Sequence, residues 1–367
     1  MKLCIFGDIF GGTGYSSHTK QLANAIYDQL GPDDKMRIKT SLPVKWQSMV
    51  NDNEIKMIDE PYTTDMTAIF IGQPQFNNII LSKNPKHFVQ FVVWEGDIIP
   101  AFWEKHLDNP KVDEIWVPSE HVKIAIINRC PQVKDKIFIV PHGVDFKLFP
   151  PKIKTKNDRL VFFYNKGWSK GINDRGGVQW AIKAFREEFS GDDNVELRIK
   201  INPYYNMGNW NIKDELHKLG IPKEDNPAKI YICNNDVALP DLHNYYHEAD
   251  VFLAPTMSEG FGLTMAEAMS CGLPVITTNF GGQTDFVNNE NGWLIDYDLI
   301  DVTWDLSYEG VKWAKPNMKQ LKEVMREAYN NRDTIVLKGE KALKDIMYWS
   351  WESSAKKAIE ALNKLKE

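Results

Sequence analysis

Two glutamates with seven residues between them, Glu259 and Glu267, are the side chains whose type and spacing most directly suggest chemistry. They enclose a turn with two glycines, Gly260 and Gly262, in the stretch SEGFGLTMAEAMSCGLPVITTNFGG. A carboxylate only accepts hydrogen bonds, so it suits a ligand with vicinal hydroxyl groups. The glycines would let the backbone approach that ligand closely. Taken singly, each glutamate is equally well explained as a residue that complements a helix dipole or faces solvent.

The glutamates lie where parallel α/β sheets bind their ligands. The run DVFLAP is typical of a strand that ends near Pro255, and a helix beginning near Gly262 carries Glu267. Ligands of open α/β sheets bind at the carboxyl ends of the strands, beside helix N-termini. The sequence therefore predicts a ligand site at this edge of a sheet.

A second glycine-rich turn follows the first predicted strand. Gly12 and Gly14, in GGTGYSSHTKQLANA, precede a helix whose free N–H groups favour an anion. A dinucleotide fingerprint does not fit, because Ser17 replaces its third glycine and the next strand, MRIKTSL, ends in no acidic residue. We interpret Gly12 and Gly14 as contacts to a phosphate or an acceptor. The alternative is a tight turn in which Ser16 or Ser17 caps the helix.

The elements that must position these residues form two successive β/α cycles. Short apolar runs alternate with amphipathic segments of helix length along the 367 residues, which is the pattern of βαβ units in parallel sheets. A chain of this length suggests two domains, and the stretch PPKIKTKNDR is the best linker between them. We predict an α/β fold with two doubly wound, Rossmann-like domains.

Composition and bulk charge give no signal for several classes of partner. With 44 basic and 50 acidic residues, the bulk charge gives no signal for nucleic acid. The four cysteines lack the spacing of a disulfide framework or a zinc site. We find no signal peptide and no apolar run near the roughly 20 residues that a membrane-spanning helix needs. The sequence therefore predicts a cytoplasmic protein.

Peripheral contact with a membrane is an alternative that the last predicted helix leaves open. Its stripe Ala355, Ile359 and Leu362 is flanked by lysines, a pattern compatible with docking on anionic lipid. Packing of this stripe on the first domain is the favoured interpretation.

The segment EGFGLTMAEAM with the following GLPVITTNFGG resembles the signature of family 4 glycosyltransferases, the retaining nucleotide-sugar enzymes of GT-B fold. VPHGVD, RGGVQWAIKAF, HEADVFLAP and WSWESSAKKAIEAL agree with that family in the same order. The resemblance implies a GT-B architecture whose two domains face a cleft. Residues 1–150 would bind the acceptor and residues 151–350 the nucleotide sugar, while the helix of residues 351–367 would cross back to the first domain.

The resemblance also implies a donor site. Glu259 would accept hydrogen bonds from the donor sugar, Glu267 would accept the ribose hydroxyls, and the helix start between them would meet the diphosphate. The base would lie near Cys233 and Asn234, without a readable identity. The predicted donor contacts are Gly12, Gly14, Lys166, Lys170, Arg175, Cys233, Asn234, Glu259, Gly260, Phe261, Gly262, Leu263 and Glu267.

One departure from the family concerns the cations at the diphosphate. The family places an arginine and a lysine after the first strand of the second domain. Arg175 matches the arginine, but Gly176 stands at the lysine position. Lys166 and Lys170, just upstream, are the candidate substitutes; the alternative is that both are solvated loop lysines.

The predicted catalytic groups are Glu95, Asp97 and Glu259. In FVVWEGDIIPAFW a predicted strand ends at Trp94 and presents Glu95 and Asp97 at its carboxyl end. A Trp-Glu pair with a proline a few residues later, here Pro100, resembles one branch of the family, so Glu95 is preferred and Asp97 is the reserve. Glu95 would otherwise pair with an arginine or cap the next helix. We interpret the Asp-Tyr-Asp run at 296–298 as a turn and predict neither a divalent metal nor another cofactor.

These observations predict a metal-independent, retaining transferase that moves a hexose-type sugar from a nucleotide diphosphate sugar to an acceptor hydroxyl. The acceptor is open: a glycan, a lipid-linked glycan, a protein or a small molecule. A nucleotide-sugar epimerase of the same fold and a catalytically inactive nucleotide-binding subunit are the alternatives. Front-face return and a covalent carboxylate intermediate both give retention. The lack of a well-defined second carboxylate favours front-face attack.

Overall fold

The chain divides into two compact α/β units. The first contains Met1–Gly143, Val302–Val311 and Trp349–Glu367, and the second contains Val144–Asp301 and Lys312–Tyr348. The first division therefore follows Gly143, whereas the sequence placed it after residue 150. The computed structural model describes residues 1–11, 13–40, 50–152, 158–168, 171–201, 212–219, 226–303 and 306–365.

Strands and helices alternate along both units, as the two predicted β/α cycles require. The strands are β1 (Lys2–Phe6), β2 (Lys35–Lys39), β3 (Thr67–Ile71), β4 (His87–Phe91), β5 (Glu114–Val117), β6 (Ile137–Ile139), β7 (Leu160–Lys166), β8 (Val195–Ile201), β9 (Lys229–Cys233), β10 (Val251–Ala254), β11 (Val275–Thr278), β12 (Gly292–Ile295), β13 (Tyr297–Asp301) and β14 (Lys312–Pro316). The helices are α1 (Gly14–Tyr27), α2 (Asp52–Asp59), α3 (Asn77–Leu81), α4 (Glu104–Leu107), α5 (Glu120–Arg129), α6 (Val178–Glu188), α7 (Ile212–Lys218), α8 (His243–His247), α9 (Leu263–Ser270), α10 (Met318–Asn330), α11 (Arg332–Ile346) and α12 (Trp351–Lys364).

The first unit is built on a parallel sheet with the strand order β2-β1-β3-β4-β5-β6 within the described residues. Every residue of β5 is buried, which is typical of a strand covered by helices on both faces. Helix α12 packs in this unit: Trp351 stacks on His18, and the Gln29 side chain donates a 3.0 Å hydrogen bond to the carbonyl of Glu352.

The apolar stripe of α12 lies inside the first unit. Ala355 and Leu362 are buried, and Ile359 is half-buried. A buried stripe offers no apolar face to a bilayer, so the favoured interpretation, packing within the protein, describes this helix. Within the described ranges, none of the helices is long and apolar enough to cross a membrane.

The second unit is built on a parallel sheet with the strand order β12-β11-β10-β7-β8-β9 among the residues described. The chain starts in the middle with β7, moves outward through β8 and β9, and then resumes at β10 on the other side of β7. The carboxyl ends of β7 and β10 therefore flank the topological switch point, where ligands of doubly wound sheets bind. Two doubly wound parallel sheets confirm the predicted fold class.

The interpretation of residues 296–298 as a turn was wrong. The run from Tyr297 to Asp301 is β13, and it pairs antiparallel with β14. Aspartates alternate with exposed tyrosine and leucine in this strand, so it does not form an apolar run. The strand was missed because the hairpin has only a modest buried face.

The segment between β13 and β14 belongs to the first unit. Tyr308 stacks on Trp94 with ring centroids 5.0 Å apart, and Val311 is fully buried. A Cβ added to Gly96 would lie 2.2 Å from Val311 Cγ1, so a side chain at position 96 would collide with this segment. Val302, Tyr308 and Val311 of this segment therefore pack in the core of the first unit, beside the loop that carries Glu95.

Candidate functional site

Two cations meet one carboxylate at the switch point of the second sheet. Lys166, the last residue of β7, places Nζ 2.5 Å from Oε1 of Glu259, in the loop after β10. Arg175 Nη1 lies 3.2 Å from the same oxygen. The Thr256 hydroxyl donates to it at 3.3 Å. The structure therefore joins three residues that the sequence proposed separately, and adds Thr256, which the sequence did not single out.

The pKa values of Glu259 and Lys166 depend on burial and on the opposite charge that each group faces. Burial would raise the pKa of Glu259, but the charges of Lys166 and Arg175 outweigh burial and leave that pKa below its ordinary value. Burial lowers the pKa of Lys166, and the charge of Glu259 opposes that shift. Because each group faces an opposite charge at hydrogen-bond distance, we treat the pair as ionised.

Backbone contacts fix the loop that carries Glu259. Arg175 donates from Nη1 to the carbonyl of Ser258 at 2.6 Å, and its own carbonyl accepts from the N–H of Met257 at 2.8 Å. The N–H of Gly282 donates to the carbonyl of Glu259 at 2.7 Å. Gly281, at φ +116°, lies so close that an added Cβ would be 2.9 Å from the Glu259 nitrogen. The GG pair of NFGG is thus required for close approach to the loop.

The structure gives a physical reason for the glycine at the family's lysine position. A Cβ on Gly176 would lie 2.7 Å from the hydroxyl of Tyr164 and 3.0 Å from Oδ1 of Asp174. Tyr164 is fully buried, so it cannot move aside cheaply. A lysine does not fit at position 176 with Tyr164 in place, and Lys166 brings an ammonium group to Glu259 from the end of β7. Lys170, the other candidate, lies outside the described residues.

Glu267 and its hydrogen-bond partners form a second cluster in the second unit. It lies on α9, whose first turn begins after Gly262 at φ +101°. Its Oε2 accepts a 2.8 Å hydrogen bond from the hydroxyl of Tyr246, which in turn accepts a 2.9 Å hydrogen bond from Nδ2 of Asn165. Burial raises the pKa of Glu267 to about 7, while the Tyr246 hydrogen bond and the Lys166 charge oppose this shift. The sequence missed Tyr246 and Asn165.

The remaining predicted donor contacts differ in their surroundings. Phe261 is buried against Phe286, with ring centroids 5.1 Å apart, so it supports the loop from inside. Leu263, the first residue of α9, is half-buried. Cys233 ends β9 with its Sγ 3.5 Å from the hydroxyl of Tyr245, and Asn234 is exposed beside it.

The glycine-rich turn of the first unit already holds a carboxylate. Asp8 accepts hydrogen bonds from the N–H of Phe10 at 2.9 Å, the N–H of Gly11 at 3.2 Å and the hydroxyl of Ser16. Thr13 caps α1, a role that the alternative interpretation of this turn gave to Ser16 or Ser17. The N–H groups of Phe10 and Gly11 thus bond within the turn. Contact of Gly14 with a phosphate or an acceptor stays a prediction. Gly12 lies outside the described residues.

Glu95 and Asp97 lie in a loop of the first unit. Strand β4 ends at Phe91, earlier than the predicted end at Trp94. The Trp94 indole then donates to the carbonyl of Ile98 at 2.7 Å and closes the loop around Glu95. Both carboxylates are partly buried, and the main-chain carbonyl of Asp97 accepts a 3.0 Å hydrogen bond from Asn128.

The sequence predicts no metal site. Among them, no group of three or more His, Cys, Asp or Glu side chains is arranged to hold a metal ion. The independence of the reaction from metal stays a prediction.

Known proteins share part of this sequence. The family model described as Glycosyl transferases group 1 matches residues 172–303. The D-inositol 3-phosphate glycosyltransferase of Paenarthrobacter aurescens is 26% identical over 219 residues, which cover 55% of this chain and 50% of that protein. The chain spans about half the length of the curated relatives that it matches.

Solved structures match over nearly the whole chain. A glycosyltransferase from Rickettsia africae matches with a TM-score of 0.70 and 15% identity, covering 100% of this chain and 98% of that one. Anabaena Alr3699/HepE, solved with UDP-glucose, matches with a TM-score of 0.69 and 14% identity, covering 99% and 100%. At these identities the likeness shows the fold, which is the GT-B fold that the sequence predicted. Together the comparisons support a GT-B glycosyltransferase.

Proposed function

We propose that the protein is a retaining, metal-independent glycosyltransferase that moves a hexose-type sugar from a nucleoside diphosphate sugar to an acceptor hydroxyl. The observation that carries this proposal is the convergence of Lys166 and Arg175 on Glu259 at the switch point of the second sheet. The glycosyltransferase relatives and a structural neighbour solved with UDP-glucose support a donor of this class.

The two cations suit the leaving diphosphate. A departing nucleoside diphosphate carries negative charge, and fixed cations aimed at it lower the barrier. Arg175 supplies a planar guanidinium that can hold phosphate in a fork, and Lys166 supplies a point charge. Before the donor binds, Glu259 balances both charges, so the cations stay in place without a phosphate.

The two glutamates suit the hydroxyl groups on either side of the diphosphate. Glu259 would accept hydrogen bonds from the donor sugar, and Glu267 from the ribose. The start of α9 lies between them in the chain and would present backbone N–H groups to the diphosphate. One loop and one helical turn would thus contact sugar, phosphate and ribose in sequence.

Glu95 is the group that we place opposite the anomeric carbon, with Asp97 in reserve. A carboxylate there would stabilise the positive charge that develops as the sugar leaves the diphosphate. We favour front-face attack, in which the leaving phosphate takes the acceptor proton. The acceptor belongs to the class of hydroxyl compounds, from glycans to small molecules.

An inactive nucleotide-binding subunit was suggested by the missing lysine at position 176. That suggestion loses its basis because Lys166 brings an ammonium group to the same carboxylate as Arg175. The loss of a lysine from one position is therefore not a loss of charge from the site.

The roles of the two glutamates predict different defects. Glu267→Ala should weaken binding of the bare nucleoside diphosphate by about 1 to 3 kcal/mol, the range for hydrogen bonds to charged groups. Glu259→Ala should not weaken that affinity, and it should reduce turnover of the complete donor, because the hydroxyls that it is proposed to bind lie on the sugar. Calorimetry with UDP, GDP and ADP, and the rate of donor hydrolysis, measure the two effects.

The control for both glutamates is Glu323→Ala, which removes an exposed carboxylate on α10 of the same unit. It should change neither affinity nor turnover. Equal weakening of the bare nucleotide by both site variants, or no effect of either on the donor, would show that the assignment of roles is wrong.

A further inference from the structure

Two linked hydrogen bonds support the carboxylate of Glu267. Asn165 of β7 donates to the hydroxyl of Tyr246 on α8, and that hydroxyl donates to Oε2 of Glu267 on α9. Tyr246 is fully buried and Asn165 is 7% exposed. Three separate elements of the second unit thus meet at one carboxylate oxygen.

The chemistry of the side chains decides which group donates and which accepts in these two hydrogen bonds. The amide nitrogen of Asn165 can only donate, so the Tyr246 oxygen acts as its acceptor and the single phenol proton is left for Glu267. A tyrosine that served only to fill the core would gain nothing from this hydroxyl. Phenylalanine has the same ring and is the natural comparison.

The surroundings of Glu267 make the phenol proton important. Burial disfavours the ionised carboxylate, and a buried acid without donors takes up a proton. The groups that oppose this are the Tyr246 hydroxyl from α8 and the ammonium group of Lys166 from β7. Cys271, at the end of α9, acts electrostatically on Tyr246. A protonated carboxyl has one oxygen that donates, so it accepts vicinal hydroxyls less well.

We propose that Tyr246, held by Asn165, is a positioning residue that orients the Glu267 carboxylate to accept hydroxyls of the bound nucleotide. The inference rests on the ribose role of Glu267 in the proposed function. The phenol bonds to Oε2 of Glu267, which leaves Oε1 to accept from the ligand. Asn165 directly precedes Lys166, so the end of β7 supplies both the cation at Glu259 and the anchor of Tyr246.

The test is Tyr246→Phe, with Tyr329→Phe as the matched control. The Tyr329 hydroxyl accepts from the N–H of Asn194, away from Glu267, so this control removes a phenol oxygen from the same unit. The probe is whichever of UDP, GDP and ADP binds the wild-type chain best, titrated by calorimetry from pH about 6 to about 9, on either side of the range where buried carboxyls titrate.

We expect Tyr246→Phe to weaken binding at neutral pH by roughly tenfold, the effect of one charged hydrogen bond. The affinity of the wild-type chain should rise with pH as Glu267 ionises. In Tyr246→Phe the midpoint of that rise should move to higher pH, because the donor that stabilises the carboxylate is gone. The Tyr329→Phe chain should follow the wild-type curve.

A Glu267→Gln background separates the possible outcomes. There the carboxylate is absent, so adding Tyr246→Phe should cause no further loss of affinity, and both chains should show only the pH dependence that the titration of the nucleotide's own phosphate contributes. An equal tenfold loss in this background would show that Tyr246 acts elsewhere, and so would an unchanged midpoint in Tyr246→Phe alone. If Glu267→Ala itself leaves the nucleotide affinity unchanged, the ribose role in the proposed function fails instead.

Discussion

Replacing Lys166 with alanine is expected to reduce turnover of the complete donor by on the order of 10²-fold, the range for loss of one group that stabilises transition-state charge. The same change should weaken binding of the bare nucleoside diphosphate. Lys166 is mostly buried and lies 2.5 Å from Glu259. Its loss removes positive charge from the phosphate site and leaves Glu259 paired with Arg175, whose Nη1 lies 3.2 Å from Oε1 of Glu259. Steady-state donor hydrolysis and calorimetry measure the two effects.

The matched control is Lys183→Ala. Lys183 pairs with Glu187 on the surface of α6 in the same unit, so its loss should change neither turnover nor affinity. If Lys166→Ala stays within about twofold of the wild-type affinity, Lys166 is a structural partner of Glu259 only. The inactive-subunit interpretation would then regain its basis.

Replacing Glu95 with glutamine is expected to lower turnover by on the order of 10²-fold while nucleotide affinity stays the same. The substitution keeps the shape of the side chain and removes the charge that we place opposite the anomeric carbon. Nucleotide contacts are proposed on the second unit, whereas Glu95 belongs to the first, so the effect should appear in turnover alone. Single-turnover kinetics with a saturating donor, beside a nucleotide titration, give both quantities.

Glu104→Gln is the control for Glu95, because Glu104 starts α4 of the same unit and has no assigned role. Its turnover should equal that of the wild-type chain. Turnover of Glu95→Gln within about a factor of two would exclude the catalytic role. Asp97→Asn would then be the next variant to measure, since Asp97 lies in the same loop.

Most strands were predictable because they are short apolar runs buried between helices. The end of β4 was placed too late because Val92 and Trp94 are apolar, yet the indole of Trp94 bonds to Ile98 and bends the chain into a loop. The strand β13 and the segment after it were missed for a different reason. Val302, Tyr308 and Val311 pack on residues some two hundred positions away, and no local pattern encodes that contact.

Most charged residues of the candidate site could be predicted from the sequence, whereas the residues that hold them in place could not. Glu259, Glu267 and Arg175 lie in recognisable motifs. The sequence could not decide between Lys166 and Lys170. The pairing of Lys166 with Glu259 spans 93 positions and depends on β7 lying beside β10. Tyr246 was hidden because an aromatic residue in a helix looks like core. Its hydroxyl acquires a role only through Glu267 on the next helix.

The chain crosses between its two units at four points, so neither unit is a continuous stretch of the gene. A fragment that stops at Gly143 would lack Tyr308 and Val311, which cover Trp94, and Trp351, which covers His18. The bare face at Trp94 is apolar and would favour aggregation. Neither half is therefore a portable module, and domain exchange with a relative must transplant the Val302–Val311 segment and α12 together with the rest of the first unit.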